Sequence, residues 1–508
     1  MNNIDSIKVR MYRHGFGDCF LVRFFAGDSL AYKMLIDCGL KHNDSVDGVS
    51  IADIVDDIKE EIAVKKGRKN VPHLDVLAVT HEHWDHVSGF KPEKKLFDSF
   101  DIDNIWMAWT EDPNDEIAQQ INAHLKENIA ALTVAKEKLV KETNRKKTTG
   151  FYDSEYSGNQ MLGISESFNG ALGAILEFYG PLGATEVTPS GIKIKDNFRT
   201  SIETQKAFDH IKSKLAKNKA AIKYFTPGKI IDVKELPGIR IYVLGPPKNE
   251  LINKDSPSRG ANKEVYFSLS NASMSGFVKG LLKGADGIFD DGSPFQNVEY
   301  IDMEKAKKHK FYKDTYFSKE NTWRTIEGDW LNMAGSLALQ MDSDTNNTSL
   351  VLAFEIIETG KILLFPGDAQ VGNWLSWHDY IWQVKDGECG KTRDVTATDI
   401  LNRTVFYKAG HHASHNATLK EKGLELMEDE DLVVFIPEKQ DQYNGIPYSE
   451  LIDRMMEKAK GRVLFSADKN FPPEDALKNK PDSITKKDWD KFKKNIAVTE
   501  KYIEYTIN

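Results

Sequence analysis

The segment Leu77-Ala-Val-Thr-His-Glu-His-Trp-Asp-His-Val-Ser-Gly89 places three histidines and an aspartate, His81-x-His83-x-Asp85-His86, directly after an apolar run. Imidazole nitrogen and carboxylate oxygen are the donors that suit zinc and related divalent ions. Four of them so close together converge only if the chain turns sharply at a strand end, so that two pairs address two ions. A second cluster, His411-His412-Ala-Ser414-His415-Asn416, ends the run Val405-Phe-Tyr-Lys-Ala-Gly. Six of the 13 histidines fall in these two clusters, a concentration that core packing does not explain. Phe365-Pro-Gly-Asp368 puts a further carboxylate straight after an apolar strand, where it could bridge two metals. Gly-Asp by itself is a common turn pair, so that element gains meaning only from the histidines.

The elements that must carry these residues read as alternating strands and helices. The patterns SIKVRMY (6–12), FLVRF (20–24), YKMLID (32–37) and LDVLAV (74–79) predict strands, with HGFGD as a turn between the first two. Ile51, Ile54, Val55, Ile58 and Ile62 share one face of a predicted helix over 50–61. Strand, helix, strand in that order predicts a layered α/β arrangement. LVLAFEI (350–356) and KILLF (361–365) predict a hairpin; strands follow at 405–408 and 432–436, then a helix over 449–460 and the strand VLFSA. Residues 502–507 alternate like an edge strand.

Two stretches interrupt this pattern. From Glu111 a stripe of Ile117, Ile121, Leu125, Ile129, Leu132 and Leu139 predicts a long helix, and seven acidic against seven basic residues between Glu111 and Gly150 make its other face solvated. Residues 250–330 are polar and aromatic-rich without a clean period. The chain therefore divides into a first core half (1–110), a helical insertion (111–227), a core strand (228–248), a second insertion (249–330) and a second core half (331–508). Both insertions read first as surface elaboration, with covering a cleft or recruiting a protein partner as the functional alternatives. His73 reads as a surface or capping residue, and Trp374, Trp377, Tyr380 and Trp382 as core or a subunit contact.

Composition excludes several classes. The 508 residues are 40% hydrophobic and 29% charged, which is globular and not disordered. Acidic residues exceed basic ones by 77 − 68 = 9, so this is not a basic clamp for long duplex nucleic acid. Three cysteines (Cys19, Cys38, Cys389) without a CxxC define neither a disulfide framework nor a thiolate zinc cage. The N-terminal residues lack the apolar core of a signal peptide, and no run of about 18 apolar residues occurs, so a cytoplasmic protein that does not span a membrane is expected.

Taken together, HxHxDH, the distal Gly-Asp and the HHxS element resemble the metallo-β-lactamase superfamily of metal hydrolases. Within it the chain is most similar to the soluble domain of the ComEC/Rec2 competence proteins, through HGFGDCFLV, MLIDCG, LAVTHEHWDHVSG, IYVLGPP, NNTSLVL, ILLFPGDA, YKAGHHAS, YNGIPYSELIDRMM and VLFSAD. These blocks cover roughly residues 6–110, 228–248 and 331–470; the insertions have no counterpart, and the competence proteins' membrane channel is absent. The resemblance implies an α/β fold, an αββα sandwich with the metal site at one edge. It implies that His81 and His83 hold one divalent ion, that Asp85, His86 and a distal histidine hold a second, and that Asp368 bridges them. His412 is favoured over His411 as the distal ligand because it precedes a small residue, Ala413, where the family has Gly. Asp37 would orient a ligand histidine from behind. Asn346 stands where many members have another histidine, which bears on the occupancy of the first site.

The function so implied is a dinuclear metal-dependent hydrolase, a phosphodiesterase or nuclease using a metal-activated hydroxide, with Zn²⁺ as the expected ion and Mn²⁺ as the alternative. Asp85 would orient the nucleophile, and His411 with Lys408 would contact a phosphoryl oxygen or protonate the leaving group. Ser414 and Asn346 would touch substrate. Nucleic acid, as a strand end or single strand, is the expected partner, or else a small phosphodiester. The alternatives are a small-molecule ester, thioester or lactone hydrolase of the same superfamily, and a non-catalytic metal-binding scaffold.

Overall fold

A computed structural model describes residues 3–41, 48–148, 172–173, 175–179, 185–188, 191–194, 202–216, 221–253, 301, 303–318, 329–386, 391–439, 446–467 and 472–508. The protein is a mixed α/β structure built on two large mixed sheets. In the first sheet the strands run in the order Ile496–Val498, Tyr502–Ile507, Ser6–Tyr12, Phe20–Ala26, Ser29–Ile36, Lys69–Ala78, Asp101–Ala108 and Ala221–Phe225, with Ala63–Lys66 paired to Lys69–Ala78. The pairs up to Ser29–Ile36 are antiparallel and those beyond it on the main path are parallel. In the second sheet the order is Ile230–Ile231, Ile239–Gly245, Val351–Ile356, Ile362–Phe365, Thr404–Lys408, Val433–Lys439 and Val463–Ala467. Its first three pairs are antiparallel and its last three parallel.

Side-chain alternation along these strands sorts residues into separate clusters. Val9, Val22, Met34 and Val76 of the first sheet share one buried cluster with Phe354, Leu363, Phe406 and Phe435 of the second. The opposite parity of the first sheet, Leu21, Leu35, Leu77 and Ile105, packs instead with Ile54, Val55 and Ile58 of the helix Ile51–Glu61. Each of those three helix residues is fully buried, which contributes about 2 kcal/mol apiece. A capping box between Ser50 and Asp53 sets the start of that helix. The opposite parity of the second sheet, Ala353, Leu364, Tyr407 and Val434, packs with Trp374, Trp377, Ile400 and Met455.

Parallel pairing has a functional consequence, because parallel strands bring their carboxyl ends to one edge. Ser29–Ile36 runs into Asp37 and Lys69–Ala78 into His81; Ile362–Phe365 runs into Asp368 and Thr404–Lys408 into His411 and His412. All four metal-type segments therefore follow carboxyl ends of parallel-paired strands.

Several expectations need correcting. The strand Ala221–Phe225 lies inside the stretch read as a helical insertion, yet it extends the first sheet beside Asp101–Ala108; with Lys223 at its centre and its residues only partly buried, its periodicity is weak. Residues Tyr502–Ile507 do not form an edge, since Ile496–Val498 pairs outside them. His73 lies within the strand Lys69–Ala78, between Lys33 and Asp103. The predicted long helix runs over Glu116–Thr148, and a helix over Asp329–Asn347 precedes the returning strands. Most of the second insertion, Cys389 and the VLFSAD aspartate lie outside the described residues. Trp374, Trp377 and Trp382 are core. No helix among the described residues is long and apolar enough to cross a membrane.

Candidate metal centre

The backbone of this region is shaped by close approach and by strain. A Cβ at Gly39 would run into the backbone of Asp85 and His86, so the Cys38-Gly39 turn lets the two loops touch. Cys38 N donates to the His86 carbonyl at 2.9 Å and Asp18 N to the Asp85 carbonyl at 2.9 Å, which fastens the HxHxDH loop to the first strands. His411, His412 and Ala413 are consecutive left-handed residues, with φ of 43°, 51° and 61°, and Asp37 has φ 54°. Such conformations cost about 1–2 kcal/mol per non-glycine residue, and they cluster at functional sites. Ala413 thus occupies a position where the backbone itself favours glycine.

Each candidate histidine is tied through one ring nitrogen and offers the other inward. His86 Nδ1 lies 2.8 Å from Asp37 Oδ2, and Asp37 also accepts from Thr80 N at 2.8 Å and Thr80 Oγ1 at 2.6 Å. His81 Nδ1 lies 3.0 Å from Thr80 Oγ1. His83 Nε2 lies 3.3 Å from the Tyr179 hydroxyl, and His412 Nδ1 faces the Pro437 carbonyl. The remaining nitrogens meet other donor atoms. His81 Nε2 and His83 Nδ1 are 3.1 Å apart, His86 Nε2 is 3.1 Å from Asp368 Oδ2, and His412 Nε2 is 3.0 Å from Asp85 Oδ2.

Asp85, His86, Asp368 and His412, all buried, each place a ligand atom within 4.8 Å of the others. His81 and His83 stand beside this group as a pair of their own. Asp85 Oδ1 is buried with no hydrogen-bond partner, and His86 Nε2 and Asp368 Oδ2, although 3.1 Å apart, make no hydrogen bond to each other or to any other group, whereas buried polar groups are normally satisfied. His411 falls outside the group. Its N–H donates to Asp368 Oδ1 at 3.0 Å, while its Nδ1 lies 3.1 Å from Ser414 Oγ and 3.3 Å from Gln370 Nε2. Ser414 Oγ also donates to Asn416 Oδ1 at 2.9 Å. Asn346 is fully buried; its Nδ2 donates to Asp342 Oδ2 at 3.3 Å and its Oδ1 has no partner.

Electrostatics at the centre favour a cation. Burial opposes a charge on His86, yet Asp368, Asp18, Asp37 and Asp85 together push its pKa well above the ordinary imidazole value. Burial would also raise Asp368, but Lys408 and His86 outweigh it and hold that carboxyl well below the usual range. For His83 burial dominates and pushes the ring down to about 3, and for His411 to about 4, so both stay neutral and able to donate a lone pair.

Lys408 is used up by the protein. Its ammonium meets Asp18 Oδ2 at 2.6 Å, Gly367 O at 2.8 Å and Asp368 Oδ1 at 3.0 Å, three acceptors for three protons. A contact from Lys408 to substrate would have to break one of these, so the role expected for it in the cleft competes with a structural one. Sequence reasoning also missed Asp18, Tyr179 and Asp342. Asp18 ends the HGFGD turn, where an aspartate behind two glycines was a usable signal. Asp342 stands one helical turn before Asn346, and its Oδ1 is 3.9 Å from His83 Nε2. Tyr179 comes from the insertion and carries no motif. No protein-family profile matches the chain, and comparison with curated proteins finds no match.

Proposed function

We propose that this chain is a divalent-metal-dependent hydrolase of the metallo-β-lactamase type, an αββα sandwich, acting as a phosphodiesterase on nucleic acid. The observation that carries the reading is the orientation of four histidines. Each is anchored through one ring nitrogen, and the other nitrogens and two carboxylates gather at one edge with unpartnered ligand atoms among them. The donor set fits two ions of the zinc class: His81 and His83 would hold one, Asp85, His86 and His412 the other, and Asp368 would reach both. When bound, such ions supply Lewis acidity toward a scissile ester and hydroxide at neutral pH.

The chain's own residues do the remaining work. Asp37 orients His86 and fixes the tautomer that leaves Nε2 available. Lys408 positions Asp368 from behind. His411, kept neutral and flanked by Ser414, is the group that would face a phosphoryl oxygen or leaving group. The nucleic-acid substrate rests on the family resemblance, and the net charge of −9 suits a strand end or single strand better than a long duplex. The test combines metal analysis of the purified chain with hydrolysis of bis(p-nitrophenyl) phosphate, a lactone and labelled single-stranded DNA. One to two divalent ions per chain and cleavage of the phosphodiesters are expected. A chain that takes up no Zn²⁺ or Mn²⁺ on reconstitution refutes the metal reading, and cleavage of the lactone alone refutes the phosphodiesterase.

A further inference from the structure

A cavity of about 220 Å³ lies on the other side of the HxHxDH loop, between Glu82 and the helices Glu116–Thr148 and Asp329–Asn347. Glu82 is the residue between His81 and His83, yet its carboxyl takes part in neither pair; Oε1 accepts from Thr204 Oγ1 at 2.9 Å. The inner end is polar and closed: Glu82, Thr110, Glu111 and Asn128 are all buried. The rim carries the exposed Gln120 and His124. Ile121, Leu125 and Met341 supply an apolar wall.

Two atoms at the inner end are unexplained by the protein alone. Thr110 Oγ1 and Asn128 Oδ1 belong to residues 2% and 4% exposed, and neither has a hydrogen-bond partner. Leaving a buried polar atom unsatisfied costs about 1–3 kcal/mol, and because both residues line this cavity, an occupant that draws in close to them is the available partner. Charge narrows its chemistry. Three lining residues, Glu82, Glu111 and Asp344, carry carboxyl groups. The facing cations are Lys126 and Lys212, and Lys212 is engaged by Glu111 Oε2 at 2.9 Å and by the Glu111 carbonyl at 3.1 Å. An anion is therefore disfavoured. Among the described residues these carboxyls form no convergent group of three metal donors, which disfavours a divalent ion.

We propose that this cavity is a binding site, separate from the metal centre, for a small organic ammonium whose charged head sits among Glu82, Thr110 and Asn128 and whose hydrocarbon chain lies on Ile121, Leu125 and Met341. An ammonium offers three donors to oxygen acceptors, and a volume of about 220 Å³ accommodates a short alkyl chain. Its occupant would touch the loop that carries His81 and His83. It would also touch Thr345, whose Oγ1 pairs with the Tyr179 hydroxyl at 2.8 Å.

The test is calorimetric titration of the full chain at pH 7 with n-butylammonium, with 1-butanol as the neutral comparison. Saturable binding of butylammonium, about tenfold or more tighter than butanol, is expected. Thr110→Val and Asn128→Leu should each weaken it by about tenfold without lowering the melting temperature, because each removes a polar atom that has no partner. Absence of saturable binding overturns the proposal, leaving the cavity to solvent. Equal binding of butanol, or unchanged affinity in both variants, overturns it as well. The readout needs no hydrolysis, so failure of the phosphodiesterase reading would leave the binding result intact.

Discussion

Replacing Lys408 with methionine tests how the centre is held together. The side chain is 2% exposed, and its ammonium lies 2.6 Å from Asp18 and 3.0 Å from Asp368. At an effective dielectric of about 20, two such pairs attract by roughly 6 and roughly 5.5 kcal/mol. Desolvation of three buried ions offsets most of that sum, and removing one partner from a buried pair costs about 3–5 kcal/mol. Methionine conserves the length and apolar stem, so the loss is electrostatic; with two carboxylates stranded, about 4 kcal/mol is expected. Asp18→Asn in the Lys408→Met background should recover about 2 kcal/mol, since it removes one of the stranded charges. The assay is denaturant unfolding of the chelator-treated protein at pH 7 for wild type, both single variants and the double variant. Metal content of the untreated proteins is measured alongside and should fall in Lys408→Met, because Asp368 loses the group that holds it. A cost below about 1 kcal/mol, or strict additivity of the two substitutions, would refute the clamp.

Other outcomes follow from the same geometry. His412→Ala should reduce bound metal while His411→Ala spares it and lowers turnover, measured as metal stoichiometry and rate side by side; the reverse pattern would transfer the ligand role to His411. Tyr179→Phe removes only the oxygen that lies 3.3 Å from His83 Nε2 and should weaken zinc binding by about 10–100-fold in a chelator competition; unchanged affinity would show that Tyr179 does not orient that ring. Burial lowers the His14 pKa below its ordinary 6.5, with Nε2 placed 2.7 Å from the Gly39 carbonyl. The unfolded chain therefore takes up a proton there that the native one refuses, and stability falls as pH drops below 6.5. His14→Gln should flatten that slope by up to about 1.4 kcal/mol per pH unit, and identical slopes in the two proteins would sink the assignment.

The metal-type residues were legible in the sequence because their chemistry is local. Imidazole and carboxylate in HxHxDH, at a strand end, announce themselves through side-chain type and spacing alone, and so does the histidine pair after Thr404–Lys408. The two-fold alternation of the strands likewise placed most of the sheet, since burial on one face leaves a periodic trace. What the sequence did not determine depends on contacts between distant segments. Whether His411 or His412 turns inward is decided by three successive left-handed residues, a conformation that no residue type there specifies. The task of Lys408 is decided by Asp18, nearly four hundred residues away, because an ammonium among three acceptors is spent while one at an open strand end is not. Ala221–Phe225 became a strand because the edge of Asp101–Ala108 was there to pair with, not through any pattern of its own. Tyr179 reaches His83 only because the short helix Glu177–Tyr179 packs beside the loop, and Glu82 faces a separate cavity because its neighbours on both sides turn the other way. Chemistry was written residue by residue; partnership was settled by the packing that brought those residues together.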